Sequence, residues 1–290
     1  MAEARYHLGC PFWGFKDWVG NFYTDDARPQ DYLPQYSSVF GTVEGNTTFY
    51  SLPAPETVER WREATPPTFR FSFKFPQTIT HRSGLEGAGD ATAEFLYRME
   101  PLGERLGPFL LQLPPFFGPD RLGVLDRYLR SLPGDLELAV ELRHRGFFAA
   151  GAMGPVDALL TARGAERAIM DTRALRSGDP NHPDVEAALH KKPDLPVVPA
   201  ALGRHPYVRF VGHPDPEVNE PYVLELATAA ASWIARGQVP YVMIHCPNNV
   251  HAPPLARRFH DLLSQQLDAG TLPVYPAHRG ERRDGQLSMF

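Results

Sequence analysis

Several charged and amide side chains stand at the ends of short apolar runs that are spread over most of this chain. Three are carboxylates, Glu44, Glu141 and Asp171, and they are accompanied by the amine of Lys74 and the amide of Gln112. Such groups transfer protons to a reacting molecule, bind its anionic part or fix its orientation. They are far apart in the sequence, so they can act together only if the fold brings the ends of the runs to one place.

The apolar runs predict the strands of a parallel sheet. Eight of them occur, at residues 6–10, 41–44, 70–74, 109–112, 138–141, 168–171, 207–210 and 241–245. Most are followed by a turn signal and a helical stretch, and strands that alternate with helices are typical of an α/β fold. Eight such units favour closure into a TIM-type (β/α)8 barrel with outer helices. An open doubly wound sheet is the alternative.

In a barrel of this kind the carboxyl ends of all strands open on one face, where active sites are built. We therefore expect one cleft to receive the residues that end the runs, which are Glu44, Lys74, Gln112, Glu141, Asp171 and His245. This convergence predicts a functional pocket but does not name its substrate.

The composition is that of a globular protein whose overall charge does not attract polyanions. Of the 290 residues, 43% are apolar and 22% are charged, and the net charge is −5. We expect a cytoplasmic protein, because no leader-like segment and no apolar run of the ~20 residues that cross a bilayer is evident. We expect neither membrane contact nor an extensive nucleic-acid surface. Cys10 and Cys246 fall in predicted strands, which favours reduced thiols.

The chain is predicted to form one barrel domain over residues 1–270, followed by a flexible tail over residues 271–290. Within the barrel, residues 172–206 form a long, proline-rich insertion with room for one short helix. A connection of this length inside a compact domain is usually functional or mobile.

Glu44 is followed by Gly45 and Asn46, which place a tight turn and an amide directly after a strand end. The carboxylate suits an acid, a base or a metal ligand, and the amide of Asn46 suits substrate binding. The alternative is that Glu44 only accepts hydrogen bonds from nearby backbone N–H groups. The sequence leaves both interpretations open.

Lys74 follows a run in which phenylalanine alternates with other residues. An ammonium among aromatic side chains loses hydration, so its pKa is expected to fall. Such a lysine can act as a base, form a Schiff base or hold an anion. We interpret Lys74 as an anion-binding group that also forms an ion pair with Glu44 on the neighbouring strand. Schiff-base chemistry is the less favoured alternative.

Glu141, Arg143 and His144 lie within four residues of one another. Side chains alternate along a strand, so Glu141 and Arg143 point to the same side. A carboxylate, a guanidinium and an imidazole so arranged suit proton transfer beside an anionic group, although a buried ion pair that serves stability alone is the alternative. Two further sites add binding groups, Asp171 with Arg173 and, on the next run, Arg209.

Metal and nucleotide sites are not indicated. Glu44, Glu141, Asp171 and His245 are chemically suited to a divalent metal, but no typical ligand spacing accompanies them and the nearby cations would repel one. We predict no metal, and the cofactor stays open. The glycine patterns of dinucleotide-binding, P-loop and nucleophile-elbow sites are absent from the sequence.

Four segments together resemble the YecE-like family (domain of unknown function 72). They are residues 43–50, residues 73–81, residues 111–114 and Glu141-Leu142-Arg143-His144. The resemblance extends over nearly the whole chain and implies a TIM barrel with a pocket at the strand carboxyl ends. It implies no substrate. Many relatives carry an aromatic residue and paired asparagines at the eighth strand, whereas here that strand ends in His245-Cys246-Pro247.

Two hypotheses follow for the function. In the first, the protein is an enzyme that hydrolyses or isomerises a small phosphorylated or nucleic-acid-derived compound. Acid–base groups are then Glu44, Lys74, Glu141, His144 and Asp171, and substrate-binding groups are Asn46, Gln112, Arg143, Arg173, Arg209 and His245. In the second, the pocket binds an anionic ligand without catalysis.

The last five residues resemble the bacterial motif that binds the DNA sliding clamp. They are Gln286, Leu287, Ser288, Met289 and Phe290, and a polar stretch that cannot bury enough apolar surface to fold precedes them. A short motif at the end of a flexible linker is a common recognition mode. Docking on a clamp would raise the local concentration of an acidic protein near DNA. In the second hypothesis this tail recruits the binding module.

Deletion of the five residues from Gln286 to Phe290 is expected to abolish binding to the sliding clamp, because the motif's glutamine and terminal aromatic residue are then missing. A pull-down with purified clamp measures this, with Asp284→Asn as a control that leaves the motif intact. Equal capture of the truncated and full-length chains would contradict the recruitment hypothesis.

Overall fold

The structure is a computed structural model that describes residues 5–279, and the motif at Gln286–Phe290 lies outside these residues. Its strands coincide closely with the predicted runs. They are β1 (His7–Gly9), β2 (Thr42–Gly45), β3 (Arg70–Phe73), β4 (Phe109–Gln112), β5 (Leu138–Glu141), β6 (Glu166–Arg167), β7 (Ile169–Asp171), β8 (Tyr207–Val211) and β9 (Tyr241–His245). The run predicted at residues 168–171 is therefore the second part of a strand interrupted at Ala168.

Helices follow the strands, as the alternation predicts. They are α1 (Pro29–Ser37), α2 (Pro55–Glu63), α3 (Gly89–Met99), α4 (Leu122–Ser131), α5 (Met153–Ala162), α6 (Arg173–Ser177), α7 (Pro183–Leu189), α8 (Pro216–Ala235) and α9 (Ala252–Ser264). The insertion at residues 172–206 contains two of them, α6 and α7, where the sequence predicted one.

The strands are parallel and succeed one another around the molecule in chain order. Regular ladders join β1-β9-β8-β7, β2-β3 and β4-β5-β6. Hydrogen bonds outside the ladders span the gaps. Glu44 N–H donates to Cys10 O (3.1 Å) between β1 and β2, and between the β3 and β4 segments Gly107 N–H donates to Phe71 O (2.8 Å) and Phe75 N–H to Leu110 O (3.0 Å). This is the strand order of a (β/α)8 barrel in which the ladder itself is not continuous.

Alternation along the strands divides their side chains between two environments. One set, which includes Val43, Phe71, Phe109, Val208 and Val242, packs with the helices in the main core. The other set points into the barrel. There a small separate cluster fills the lower layer, and it consists of Leu110, Ala139, Ala168, Tyr207, Tyr241 and Met243. The inward residues above this layer are polar, and they form the site described below.

The first residues of the predicted tail run back along the barrel. Tyr275 is buried, and its hydroxyl donates to Pro253 O over 2.6 Å. Its ring contacts the ring of Phe22 with a centroid distance of 4.9 Å. The division of the chain into a barrel and a flexible tail stays a prediction.

Gly9 is required where β1 approaches β2. A Cβ atom added there would lie 2.0 Å from the carbonyl oxygen of Thr42. We expect Gly9→Ala to lower the free energy of unfolding by about 1–3 kcal/mol, since backbone must move to relieve the clash. Urea unfolding measures this. Gly134→Ala is the control, because no heavy atom lies within 4 Å of a Cβ there, and equal stability of the two variants would contradict the prediction.

Candidate functional site

A buried network of ion pairs lies across the centre of the barrel above the apolar layer. The guanidinium of Arg209 on β8 donates twice to Glu44 on β2, from Nε to Oε2 (2.6 Å) and from Nη2 to Oε1 (2.7 Å). Its Nη1 donates to Oε2 of Glu141 on β5, and Arg143 Nε donates to the other oxygen of Glu141 over 2.6 Å. Glu44, Glu141 and Arg209 are all buried.

Strand alternation places these residues in the interior. On β8, Val208 and Phe210 pack outward, so Tyr207 and Arg209 point inward. The Tyr207 hydroxyl lies 2.8 Å from Oγ of Ser72 on β3, which secures the layer just below the guanidinium. The ion pairs therefore connect three strands that lie on different sides of the barrel.

Both carboxylates are ionised and fully engaged. Burial alone would raise the pKa of Glu141, but the charges of Arg209 and Arg143 outweigh it and lower that pKa to about 2. In the same way, the charge of Arg209 outweighs burial and holds the pKa of Glu44 well below its usual range. Asn46 Nδ2 also donates to Glu44 Oε1 over 2.8 Å. These carboxylates organise the site and are poorly placed to exchange protons with a ligand.

A cavity of about 630 Å³ opens above the network at the carboxyl ends of the strands. One part of its wall is aromatic, with Phe12, Phe49 and Tyr50, and another part is cationic, with Arg143 and Arg209. The remaining polar lining consists of Asn46, Lys74, Gln77, His81, Gln112, Asp184, Lys191, Lys192, His245 and Asn249. Of the six residues predicted to converge, Lys74, Gln112 and His245 line this cavity, and Glu44 and Glu141 lie in the network beneath it.

Lys74 does not form the predicted ion pair with Glu44. Its Nζ lies 3.6 Å from the centroid of the Phe49 ring, and among residues 5–279 no carboxylate lies within 4 Å of it. The prediction was wrong because the two oxygens of Glu44 are occupied by the fork of Arg209. Burial, followed by the charge of Arg209, lowers the pKa of Lys74 to about 7.

Lys192 is a second cavity lysine, and the sequence reasoning missed it. It lies just after α7 in the insertion, where its backbone N–H donates to Ala188 O over 2.9 Å. Burial and the charge of Arg209 lower its pKa to about 8. The unusual length of the insertion indicated a functional segment, but spacing along the chain could not show that it folds over the strand ends.

Two imidazoles and an amide complete the floor of the cavity. Burial lowers the pKa of both His81 and His245 to about 4, so both rings are neutral at physiological pH. His245 Nε2 lies 3.6 Å from Glu44 Oε1, too far for a hydrogen bond. Within the described part of the chain, His245 Nε2 and Gln112 Oε1 are buried without a hydrogen-bond partner. Such atoms are costly unless a ligand or water satisfies them.

Asp171, Arg173 and His144 are not brought into the cavity. Asp171 pairs in register with the outward Phe210, and its carboxylate accepts from Arg173, which also pairs with Glu225 on α8. Asp171 points away from the interior because side chains alternate along the strand. The inward side chain is that of Met170, one residue earlier, and it contacts Arg209. His144 Nδ1 accepts from Gly146 N–H at the start of a short 3-10 helix.

No cluster of three or more His, Cys, Asp or Glu side chains in residues 5–279 is arranged to hold a metal ion. Over the same residues, no helix has the length and apolar character needed to cross a membrane.

Arg209→Met is expected to lower the free energy of unfolding by about 3–5 kcal/mol near neutral pH, because it leaves Glu44 buried without a cationic partner and Glu141 with Arg143 alone. The folded-state pKa of Glu141 is lowered to about 2, so the ion-pair contribution is complete above the ordinary carboxyl pKa of ~4.3 and is lost as the pH falls towards 2. Urea unfolding at several pH values measures both effects. The control is Arg62→Met, which removes an exposed pair with Glu59, and a similar loss in both variants would contradict the account.

Comparison with known proteins places this barrel and its cavity in a family. A family model described as "Protein of unknown function DUF72" matches residues 7–279. The chain is 38% identical to UPF0759 protein YecE of Escherichia coli (strain K12) over 272 residues, which cover 93% of this chain and 97% of that protein. It is 30% identical to UPF0759 protein YunF of Bacillus subtilis (strain 168) over 149 residues, 49% of this chain and 52% of that protein.

Two crystal structures share the fold. A DUF72 family protein from Thermotoga maritima aligns with a TM-score of 0.68 and 25% identity, covering 89% of this chain and 99% of that one. One from Enterococcus faecalis V583 aligns with a TM-score of 0.67 and 19% identity, covering 93% and 98%. The match over nearly the full length shows that this chain belongs to the DUF72 (UPF0759) family, whose function is unknown.

Proposed function

We propose that the cavity binds a small phosphorylated or carboxylated compound and that the protein is an enzyme which moves protons on it. Hydrolysis or isomerisation of a small anion is the reaction class. Lys74 is the acid–base group, and Arg143 and Lys192 bind the anionic part of the substrate. Glu44, Glu141 and Arg209 hold these groups in place.

The excess of positive charge in the cavity carries this proposal. Glu44 and Glu141 are neutralised by Arg209 and Arg143. The ammonium groups of Lys74 and Lys192 then face the cavity, and no carboxylate of residues 5–279 lies within ion-pair distance of either. A buried or partly buried cation without a counterion is stabilised by a bound anion. Burial and the charge of Arg209 lower the pKa of both lysines, so binding of an anion is expected to favour their charged forms.

We choose Lys74 as the acid–base group because of the pKa of its amine. A group transfers protons best when its pKa lies near the working pH, and the pKa of Lys74 is about 7. The pKa of Glu141, about 2, and the two occupied oxygens of Glu44 remove the carboxylates from this role. The buried amide of Gln112 and the neutral ring of His81 are placed to orient a bound hydroxyl or carbonyl group.

The affinity for sulfate is expected to fall about tenfold or more between about pH 6 and about pH 9, because Lys74 and Lys192, with pKa values of about 7 and 8, lose their charge. Sulfate keeps its charge over this range, and His81 and His245 stay neutral, with pKa values of about 4. Isothermal titration calorimetry at fixed ionic strength measures the affinity.

Lys192→Met and Arg143→Met are expected to weaken sulfate binding at the lower pH, whereas Lys16→Met, at an exposed position, is the matched control. Sulfate binding that is undetectable in the wild type, or equal in all three variants, would contradict the anion site.

Lys74→Arg separates an enzyme from a binding module, because it keeps the charge but removes a group that can lose its proton. We expect the variant to retain sulfate affinity within about twofold and to lose exchange of solvent deuterium into phosphorylated aldoses, ketoses and 2-oxo acids, followed by mass spectrometry. Absence of exchange in the wild type, with anion binding intact, would favour the binding module.

A further inference from the structure

The lysines of this chain are few, and they are concentrated at one place. Only four of the 29 Lys and Arg residues are lysines: Lys16, Lys74, Lys191 and Lys192. The last three line the cavity, and Lys16 is exposed elsewhere. Every other cation in this chain except histidine is an arginine. Arginine cannot be deprotonated in proteins, so it cannot act as a nucleophile. The lysines therefore lie where amine chemistry is possible.

Lys74 has the fixed backbone that a nucleophile requires. Its N–H donates to Gly45 O over 3.3 Å, and its carbonyl oxygen accepts from Thr48 Oγ1 over 2.7 Å. The next residue, Phe75, donates to Leu110 O over 3.0 Å. These bonds fix the position of Lys74 at the end of β3, and the ring of Phe49 supports the Nζ at the cavity wall. Lys192, by contrast, lies on the insertion.

Lys74 lacks the ion pair to Glu44, and no carboxylate on the described part of the chain lies within ion-pair distance of its amine, whose charged form is favoured by the cation–π contact with Phe49. Its neighbours include the positive charges of Arg209 and Arg143 and the negative charges of Glu141 and Glu44, and His81 from the segment after β3. After burial, the charge of Arg209 lowers the pKa of Lys74 more than either carboxylate raises it. Desolvation and an adjacent cation are the means by which enzymes activate amine nucleophiles.

We propose that Lys74 forms an imine with the carbonyl carbon of an aldehyde or ketone that carries a phosphate or carboxylate, with Arg143 and Lys192 holding that anion. The proposal rests on the anion site of the previous section and narrows its ligand to carbonyl compounds. It replaces direct proton transfer by the Lys74 amine with a covalent bond from that amine to the substrate.

The step balances without a further reagent. The unprotonated Nζ attacks the carbonyl carbon, and the electron pair of the C=O π bond moves to oxygen. The nitrogen then gives up its two hydrogens, the oxygen leaves with them as water, and a C=N bond remains. Protonation of this nitrogen makes the adjacent carbon atom more acidic, which is the requirement for the isomerisation of a sugar phosphate or a related compound.

The experiment uses pyridoxal 5′-phosphate purely as a chemical probe, because it combines an aldehyde with a phosphate. The full-length protein is treated with the probe at limiting concentration, the imine is reduced with borohydride, and the modified lysines are identified by peptide mass spectrometry. The four lysines are compared within one sample, so the result does not depend on the folding of a variant. Pyridoxal, which lacks the phosphate, is the parallel probe, and sulfate is the competitor.

We expect Lys74 to be modified at least about tenfold faster than Lys16, with a rate that rises through about pH 7. Pyridoxal should react at least about tenfold more slowly, and sulfate should protect Lys74. Lys74→Arg should abolish this fast modification, while Lys16→Arg should not affect it.

Equal modification of all four lysines, or fast modification of Lys192 in place of Lys74, would overturn the proposal. If calorimetry shows sulfate bound in the cavity while Lys74 stays unmodified, the imine proposal fails and the anion site stands. If Lys74 reacts equally with both probes and sulfate gives no protection, no anion is bound beside the amine. Both the anion site and the imine with an anionic carbonyl compound are then contradicted.

Discussion

The buried ion pairs of Arg209 with Glu44 and Glu141, which come from different strands, are the interaction on which the rest of this molecule depends. Placing an arginine and two glutamates inside a barrel is costly unless each charge is paired and hydrogen-bonded. Two nitrogens of Arg209, Nε and Nη2, donate to the two oxygens of Glu44. The third nitrogen, Nη1, donates to Glu141, and the other oxygen of Glu141 accepts from Arg143. The geometry of a guanidinium, with donors in one plane, is what allows one residue to join β2, β5 and β8.

This arrangement determines the chemistry available to the cavity above it. Because the guanidinium groups occupy the carboxylate oxygens, the glutamates cannot neutralise the lysines. Burial, followed by the positive charge of Arg209, lowers the pKa of both Lys74 and Lys192. In the proposed function, polar groups of the bound anion satisfy the unpartnered amide and imidazole atoms of Gln112 and His245. The buried ion pairs thus leave the lysines of the cavity without carboxylate partners among the described residues.

The sequence predicted the fold well because its strands are short and strongly apolar. The bounds of β4, β5 and β9 agree with the predicted runs at residues 109–112, 138–141 and 241–245. The positions of Glu44, Lys74, Gln112, Glu141 and His245 at one end of the barrel follow from the parallel order of the strands. The predicted position of Asp171 was wrong because the prediction considered how far along the strand the residue lies but not which face its side chain occupies. A shift of one residue turns a side chain to the other face.

Contacts between distant strands could not be predicted from one sequence. The interpretation of Lys74 as a partner of Glu44 considered only the neighbouring strand, whereas Arg209 reaches Glu44 across the barrel with better geometry. Lys192 was missed because a proline-rich insertion has no periodicity that would show where it folds. In both cases the missing information was three-dimensional: which of several cations approaches a carboxylate, and which loop covers the strand ends.

Lys74 is a desolvated amine without a carboxylate partner among residues 5–279. The direct test is a proton-NMR-detected titration of protein labelled with carbon-13 at the lysine ε-carbons, in which four lysines give four signals, with Lys74→Arg to assign its resonance. We expect the Lys74 signal to titrate with a pKa of about 7. A pKa for Lys74 at the ordinary lysine value of ~10.4 would contradict this, because it would show that the ammonium is paired or well hydrated.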